Sequence, residues 1–588
     1  MVRLTKVLLG LSLLCCVLGQ TFKGRDDADG PRQFLGGRVG GEARLRITCA
    51  GCETAFRAIL DSYRSAGDIS AAAETAAGLC KKHQLYADAV CEGLVRVRAG
   101  MFKYLADHER NGTLVQRLCG LLVSQGDCVL RDEWTVGVDL GPKPPPRTPR
   151  VQEAETLTVV QLSDVHYEPQ YLEGGNAVCG EPVCCLASQG RGANQSLSAG
   201  RWGDYRGCDV PLDTLEDALR AVSQRHPKID YIYMTGDLVD HSSWLVSQEF
   251  NTKVITKVVE LLMKTFGATP IIFTLGNHEA VPANCYAPVE VTEKGASLRW
   301  LFELVSELWS PHITSAAKQT LLQGGYYTLK LRDGFRVIVL NNNVCYTSNL
   351  WLAYESEDPY NQLAWLAETL LQAEKNNEKV HLLYHIPSGY SECFSTWSRE
   401  FNKIVDRFES TITAHFNGHT HSDEFHVFYS AENASRVNGV ALNGGSVTTY
   451  SDVNSNYKVY TVDPRSWYIL DAESWVFNLT DANLHRNSTP EWYRQYSFRE
   501  AYGVKSLIPS EVETVVNRMA KNHSLLQKYN SFYYKDGDPS LAAGCDEACL
   551  RKKLCDIATT DSSNSTHCRL VEAEFDKAST APVSQTQT

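Results

Sequence analysis

The sequence lacks an excess of basic residues, shows no internal repeat and has only one long apolar run, at its N-terminus. Its 57 Lys and Arg against 69 Asp and Glu give a formal net charge of -12, which argues against a general nucleic-acid-binding protein. No later segment is apolar enough over the length of a membrane span, so we expect no transmembrane segment. Hydrophobic residues still make up 43% of the 588 residues, so the chain can bury a large core.

The N-terminal apolar run predicts a secretory signal peptide at residues 1–20. Arg3 and Lys6 precede an apolar stretch over 7–18, and Gly19 supplies a small residue for cleavage. The stretch is shorter than the roughly 20 apolar residues of a membrane-spanning helix. A signal anchor is the alternative interpretation.

Cysteines and glycosylation motifs are typical of the same secretory route. Cys15 and Cys16 belong to the signal, and the other 17 of the 19 cysteines would mostly pair as disulfides in an oxidising compartment. Seven Asn-x-Ser/Thr sequons support secretion: Asn111, Asn194, Asn433, Asn478, Asn487, Asn522 and Asn564.

Composition divides the rest of the chain into four parts and a tail. Residues 45–132 predict short amphipathic helices, with Phe56, Ile59, Leu60 and Tyr63 spaced to share one helix face. Helices this short require disulfides to hold them together. The proline-rich stretch 141–150 predicts an extended linker within 133–155. Residues 466–570 predict helices, and residues 571–588 a disordered polar tail.

Residues 156–465 predict an α/β domain, because short β-branched runs alternate with amphipathic helical stretches. Helices are expected at 212–223 and 253–264, among others. Strands are expected at Leu157–Leu162, Tyr231–Thr235, Ile271–Leu275, Val337–Leu340, Val380–Leu383 and Val440–Leu442.

Clusters of Asp, His and Asn follow the predicted strands and indicate a metal site, since ligands gather at the carboxyl ends of strands in α/β sheets. Carboxylate, imidazole and amide ligands suit borderline divalent metals, and the absence of thiolates argues against a closed structural zinc site. One such motif alone is more often a surface turn. The five together are specific: Asp164-x-His166, Gly236-Asp237, Gly276-Asn277-His278-Glu279, His385 and Gly418-His419-x-His421.

This ordered set resembles the calcineurin-like metallophosphoesterase family. The resemblance implies a β-sandwich flanked by helices and two metal ions bridged by Asp237. One ion would be held by Asp164, His166, Asp237 and His421, and the other by Asp237, Asn277, His385 and His419. It further implies that a metal-bridging hydroxide attacks phosphorus. Asn277, His241 and His278 are the expected catalytic residues, and either histidine could protonate the leaving group. His278 could instead mainly stabilise the transition state, and His241 could instead only orient its neighbours.

Three features narrow the resemblance to the acid sphingomyelinase branch. Asp240 stands where purple acid phosphatases have a metal-binding tyrosine, and His241 follows Asp237 by four residues. The third is the spacing of six cysteines, which resembles that of saposin domains: Cys49, Cys52, Cys80, Cys91, Cys119 and Cys128.

The branch implies eight disulfides, which spacing alone could not select. They are Cys49–Cys128, Cys52–Cys119, Cys80–Cys91, Cys179–Cys184, Cys185–Cys208, Cys345–Cys393, Cys545–Cys549 and Cys555–Cys568. Cys285 is left over, as a free thiol, an intermolecular link or a buried inert thiol.

The resemblance implies a secreted or lysosomal phosphodiesterase that carries two Zn²⁺ ions and hydrolyses sphingomyelin to ceramide and phosphocholine. A monomer is expected, whose saposin-type domain engages sphingomyelin-containing membranes or serves only as a folding aid. Two alternatives remain open. One is a secreted phosphodiesterase acting on nucleotides or other soluble esters, and the other is a lipid-binding or transfer protein with an inactive core.

Overall fold

The computed structural model describes residues 48–580, except residues 110, 125–127, 147–148, 153–154 and 451. The predicted signal peptide at 1–20 therefore lies outside the described residues. Across the part of the chain that is described, no helix has both the length and the apolar character needed to cross a membrane.

Four helices form the N-terminal region, and their apolar faces are buried. The predicted face of the first helix is confirmed, because Phe56, Ile59 and Leu60 are buried and Tyr63 packs beside them. Gly67 ends this helix in the left-handed conformation, with φ of 66°. The helices are α1 (Cys49–Ala66), α2 (Ile69–Lys82), α3 (Asp88–Asp107) and α4 (Leu114–Val123).

The disulfide pairing implied by the resemblance is confirmed for all eight pairs. Three of them lie in the N-terminal helical region. Cys285 is a free thiol and is 2% exposed, so it is not available at the surface for an intermolecular link.

Two six-stranded sheets form a sandwich, as the resemblance implies. The first sheet has the strand order β12-β11-β10-β1-β2-β3 and the second β4-β5-β6-β7-β9-β8. The six strands expected from the sequence are present, some with ends shifted by one or a few residues. The strands are β1 (Leu157–Leu162), β2 (Tyr231–Met234), β3 (Ile271–Phe273), β4 (Tyr327–Arg332), β5 (Phe335–Val339), β6 (Lys379–Leu383), β7 (Ile412–Asn417), β8 (Phe425–Tyr429), β9 (Val437–Asn443), β10 (Asn456–Val462), β11 (Ile469–Phe477) and β12 (Trp492–Ser497).

Six helices flank the sheets, and the extended chain before β1 lies against the last of them. Arg407 at the end of this helix donates from Nε to the Gly141 carbonyl (3.1 Å), and Lys143 Nζ lies 2.7 Å from the Asp406 carboxylate. The start of the proline-rich stretch is therefore bonded to this helix. The helices are α5 (Leu212–Arg225), α6 (Gln248–Phe266), α7 (Arg299–Leu308), α8 (Ser315–Gly324), α9 (Gln362–Lys375) and α10 (Ser395–Arg407).

The C-terminal part contributes two strands, β11 and β12, to the first sheet as well as six helices, the first of which lies between those strands. β10 and β11 pair antiparallel, so the expected boundary at 465/466 falls between two hydrogen-bonded strands. The predicted disorder at 571–588 is wrong for 571–580, where Val571 and Phe575 are buried in a helix; residues 581–588 are not described. The helices are α11 (Leu479–Leu484), α12 (Phe498–Tyr502), α13 (Pro509–Met519), α14 (His523–Tyr533), α15 (Glu547–Ile557) and α16 (Thr566–Thr580).

Candidate metal centre

Five strands direct polar side chains to one edge of the sandwich. β1, β2 and β3 are parallel neighbours in the first sheet, and β6 and β7 are parallel neighbours in the second. Because the carboxyl ends of parallel strands meet at one edge, the loops that follow them converge. These loops carry Asp164, His166, Asp237, His241, Asn277, His278, His385, His419 and His421.

One group at this edge consists of Asp164, His166 and His421, whose possible ligand atoms all lie within 4.8 Å of one another. His166 Nε2 is 3.1 Å from His421 Nε2 and 3.5 Å from Asp237 Oδ2. His166 Nδ1 donates to the Val239 carbonyl (2.8 Å), so the lone pair on Nε2 points into the group.

A second group consists of Asp237, His385 and His419, together with the amide oxygen of Asn277. His385 Nε2 lies 3.1 Å from Asp237 Oδ2 and 2.9 Å from Asn277 Oδ1, which is 2.8 Å from His419 Nδ1. His385 Nδ1 donates to the Thr235 carbonyl (2.7 Å), so Nε2 faces Asp237 and Asn277. Burial lowers the pKa of His385, but the Asp237 carboxylate outweighs it and raises the pKa to about 9, so Nε2 holds a proton that a metal ion would replace.

The electrostatics of this edge also fit divalent cations. Burial raises the pKa of Asp164 to about 7, and the nearby Asp237 carboxylate adds to the effect. Burial also lowers the pKa of His419 to about 3, and positive charge on His385 adds to the lowering, so this imidazole is neutral and can act as a ligand. Two carboxylates, four imidazoles and one amide, with no thiolate, form a donor set suited to two borderline divalent ions.

The backbone reaches this arrangement through unusual conformations. Glycines allow the loops to approach closely, because a Cβ at Gly276 would collide with Asp237 and one at Gly418 with Ser163 and Asp164. Non-glycine residues in the left-handed region cost free energy, and such conformations cluster at functional sites. Positive φ angles occur at Asp164 (48°), His166 (46°), Asp237 (55°), His419 (74°) and His421 (59°).

His241 stands beside the first group and is held on three sides. Its ring stacks between those of His166 (3.8 Å between centroids) and Tyr450 (4.2 Å). The Asp209 carboxylate accepts from His241 N (2.7 Å) and from Nδ1 (2.8 Å). Burial lowers the pKa of His241, but the Asp209 carboxylate outweighs burial and the pKa is raised.

His278 lies next to His241, with 4.6 Å between ring centroids. Its backbone N–H donates to Asp237 Oδ1 (2.8 Å), and its Nδ1 is 3.1 Å from the Asp240 carbonyl. Burial lowers the pKa of His278 to about 4, with the nearby Asp237 carboxylate opposing. Both rings are therefore held through Nδ1 beside the ligand groups.

Two supporting residues had no sequence signal. Asp209, which orients His241, follows a disulfide cysteine in a long loop and belongs to none of the motifs. Asn284 Oδ1 accepts from Asn277 Nδ2 (2.8 Å), so it turns the amide oxygen of Asn277 toward the two histidines. Both contacts depend on loop conformations that spacing along the chain does not reveal.

Two family descriptions match the chain over complementary ranges. Residues 157–423 match the calcineurin-like phosphoesterases, and residues 435–574 match the acid sphingomyelin phosphodiesterase C-terminal region. With its sandwich and its paired ligand groups, the chain is a calcineurin-like metallophosphoesterase.

Curated relatives identify the family more closely. The sphingomyelin phosphodiesterase of Bos taurus is 35% identical over 531 residues, which cover 89% of this chain and 84% of the relative; that of Homo sapiens is 34% identical over 531 residues (89% and 83%). The human acid sphingomyelinase-like phosphodiesterase 3b is 29% identical over 429 residues (69% and 89%). The chain belongs to the sphingomyelin phosphodiesterase family.

Proposed function

We propose that this protein hydrolyses the phosphodiester bond of sphingomyelin to release ceramide and phosphocholine. The observation that carries the proposal is the convergence of His385 Nε2, Asp237 Oδ2 and Asn277 Oδ1, three atoms that can act as metal ligands. It occurs in a chain that matches sphingomyelin phosphodiesterases over 89% of its length.

Two zinc ions would be held at the edge of the sandwich. The ligands of one are Asp164, His166, Asp237 and His421, and those of the other are Asp237, Asn277, His385 and His419. When bound, the two ions supply Lewis-acid polarisation of the phosphoryl oxygens and activate water as the nucleophile. The tautomers of His166 and His385 are fixed by backbone carbonyls, so these rings need no reorientation to act as ligands.

His241 would deliver the proton that the departing ceramide oxygen needs, and His278 would help to hold the phosphate. Asp209 accepts from Nδ1 of His241, which stabilises the protonated imidazole that would act as the acid. A bound phosphate anion would favour protonation of His278 at Nε2, and the charged ring would then stabilise the phosphoryl group and, with Asn277, keep the phosphate in register. Tyr450 supports the His241 ring from the face opposite His166.

The N-terminal helices would act as a saposin-type domain, residues 45–132, that brings the active site to a sphingomyelin-containing membrane. The linker over 133–155 would set the orientation of this domain, and the catalytic domain would extend over 156–465. The helical region at 466–570 would complete the first sheet through β11 and β12. We propose a monomer that is secreted and works in the lysosome or outside the cell; all seven sequon asparagines are exposed, as glycosylation on that route requires.

The test is phosphocholine release from sphingomyelin in anionic liposomes at acidic pH by the purified secreted protein. We expect release that 1,10-phenanthroline abolishes and Zn²⁺ restores, with two zinc ions per chain by inductively coupled plasma mass spectrometry. Release that persists in the fully metal-depleted protein would overturn the metal mechanism.

Soluble substrates provide the control on specificity. No release from liposomes by a zinc-loaded sample that rapidly hydrolyses bis(p-nitrophenyl) phosphate would replace sphingomyelin with soluble phosphodiesters as substrate. No hydrolysis of either substrate by a sample that binds the liposomes would favour a lipid-binding protein.

A further inference from the structure

A cavity of about 430 Å³ lies between the N-terminal helices and the catalytic core, away from the metal ligands. Its volume falls in the range of about 300–1,000 Å³ typical of sites that hold small organic ligands. Residues at the end of α3 and the start of α4 line one wall, and residues 353–357 of the core line another.

The wall beside the cavity is rigid, because Arg117 of α4 fastens the two regions together. Its guanidinium forms two hydrogen bonds with Asp132 (2.9 and 2.5 Å) and donates to the carbonyls of Ala353 (2.6 Å) and Leu352 (3.0 Å). Ser356 Oγ donates to the same Asp132 carboxylate (2.5 Å). The cavity is therefore formed in advance of any ligand.

The chemistry of the lining is that of a carbohydrate site. Aromatic rings of Trp134 and Tyr354 lie among carboxylates such as Glu109 and Glu355, a combination of flat apolar faces and hydrogen-bond acceptors. Trp134 is 7% exposed, and among the described residues its Nε1–H has no hydrogen-bond partner. Trp134 and Tyr354 therefore offer a sugar apolar ring surface beside these acceptors.

Asn111 and Thr113, the two defining positions of the sequon Asn111-Gly112-Thr113, lie in the lining of this cavity. Asn111 is exposed and stands in a turn with φ of 63°. We propose that the N-glycan on Asn111 folds back into the cavity, where its first sugars contact Trp134 and join the N-terminal helices to the core. This inference rests on the secretory route given under the proposed function.

The modification itself uses a lipid-linked sugar donor of the secretory pathway. A bond forms between Asn111 Nδ2 and C1 of the first N-acetylglucosamine, and the bond from C1 to the diphosphate of a polyprenyl-diphosphate oligosaccharide breaks. The polyprenyl diphosphate leaves with the electron pair, and the amide proton is released. Because the transfer precedes folding, the sugar can be enclosed as the two regions dock.

The test compares the rates at which an enzyme releases the glycans of the different sequons from the native secreted protein. Mass spectrometry of each glycopeptide gives the rate. We expect peptide:N-glycosidase to remove the glycan of Asn111 at least about tenfold more slowly than that of the exposed Asn433, and equally fast after denaturation. An Asn111 without glycan, or one released as fast as Asn433, would overturn the inference. A chain without glycan at any of its seven sequons would instead contradict secretion.

Sequon variants separate the glycan from the side chain. Asn111→Gln and Thr113→Ala should both increase amide hydrogen exchange in residues 105–117 and 352–357, whereas Thr113→Ser, which keeps the sequon, and Asn433→Gln should not. Unchanged exchange in both Asn111→Gln and Thr113→Ala would contradict the joining role. Trp134→Phe, which keeps an aromatic ring but removes the pyrrole part of the indole, should increase the rate of glycan release at Asn111.

Discussion

Strands β6 and β7 of the second sheet each contain one histidine and are followed by another, four residues later in the chain. The two histidines of each pair have different surroundings. His381 lies inside β6, and His385 follows its end; His415 lies inside β7, and His419 follows its end. Burial lowers the pKa of His381 to about 4 and that of His415 to about 3. Burial also lowers the pKa of His385, but the Asp237 carboxylate outweighs it and the pKa is about 9.

The difference teaches that burial of an imidazole does not by itself make a site. His381 bonds to the Tyr233 hydroxyl (2.8 Å) and the Trp467 carbonyl (2.7 Å), which are neutral groups that satisfy it within the core. His415 stacks on Phe428 at 4.5 Å between centroids. The histidines past the strand ends instead meet carboxylates that come from the other sheet.

The largest effect should come from removing the carboxylate that the two ligand groups share. Asp237→Asn should lower phosphocholine release by about 10³-fold or more, equivalent to about 4 kcal/mol of barrier, because both metal ions lose a ligand. Metal content should fall with activity. Asp213→Asn, at a carboxylate that is 47% exposed and pairs with Arg201, is the matched control and should retain both. Full zinc content with full activity in Asp237→Asn would contradict the assigned bridge.

The contrast between strand interior and strand end also explains what the sequence could predict. The motif residues were readable because each follows a β-branched run, and parallel strands bring such ends together. β11 and β12 escaped prediction, since β11 contains Asp471, Glu473 and Ser474, and pairing within the sheet overrides their low strand propensity. Asp209 and Asn284 escaped because loop geometry, and not spacing, brings them to the site.

A smaller effect is expected at the carboxylate that orients His241. Asp209→Asn should lower kcat about 10²-fold, within the range for loss of general acid catalysis, while zinc content stays at the wild-type level. The amide cannot stabilise a charged imidazolium as the carboxylate does. Zinc loss that parallels the loss of kcat would contradict the assignment and place Asp209 among the residues that support metal binding.

Variants of Asn284 test whether the Asn277 amide must be hydrogen-bonded to Asn284 in order to bind a metal ion. Asn284→Ala should weaken binding of one of the two zinc ions by about 10–100-fold, since residues that orient metal ligands typically have effects of this size. Asn284→Asp keeps an oxygen that accepts from Asn277 Nδ2 and should remain close to wild type. The measurement is the zinc content per chain after competition with a chelator, which should be lower for Asn284→Ala than for Asn284→Asp. Equal zinc retention in the two variants would show that the contact between Asn284 and Asn277 is dispensable.

The interior histidines should affect stability against pH while leaving metal content unchanged. The pKa of His415 is about 3 in the folded chain, against about 6.5 when unfolded, so protonation favours the unfolded state. The neutral imidazole's contribution to the free energy of unfolding is complete above pH 6.5 and is lost as the pH falls toward 3. The loss amounts to about 2–3 kcal/mol at pH 4.5. His415→Leu should therefore reduce the fall in Tm between pH 7 and pH 4.5, whereas His485→Gln, at an exposed side chain, should not. If His415→Leu lost zinc and left the fall in Tm unchanged, His415 would support metal binding as His419 does. The distinction between histidines inside the strands and those after the strand ends would then be wrong.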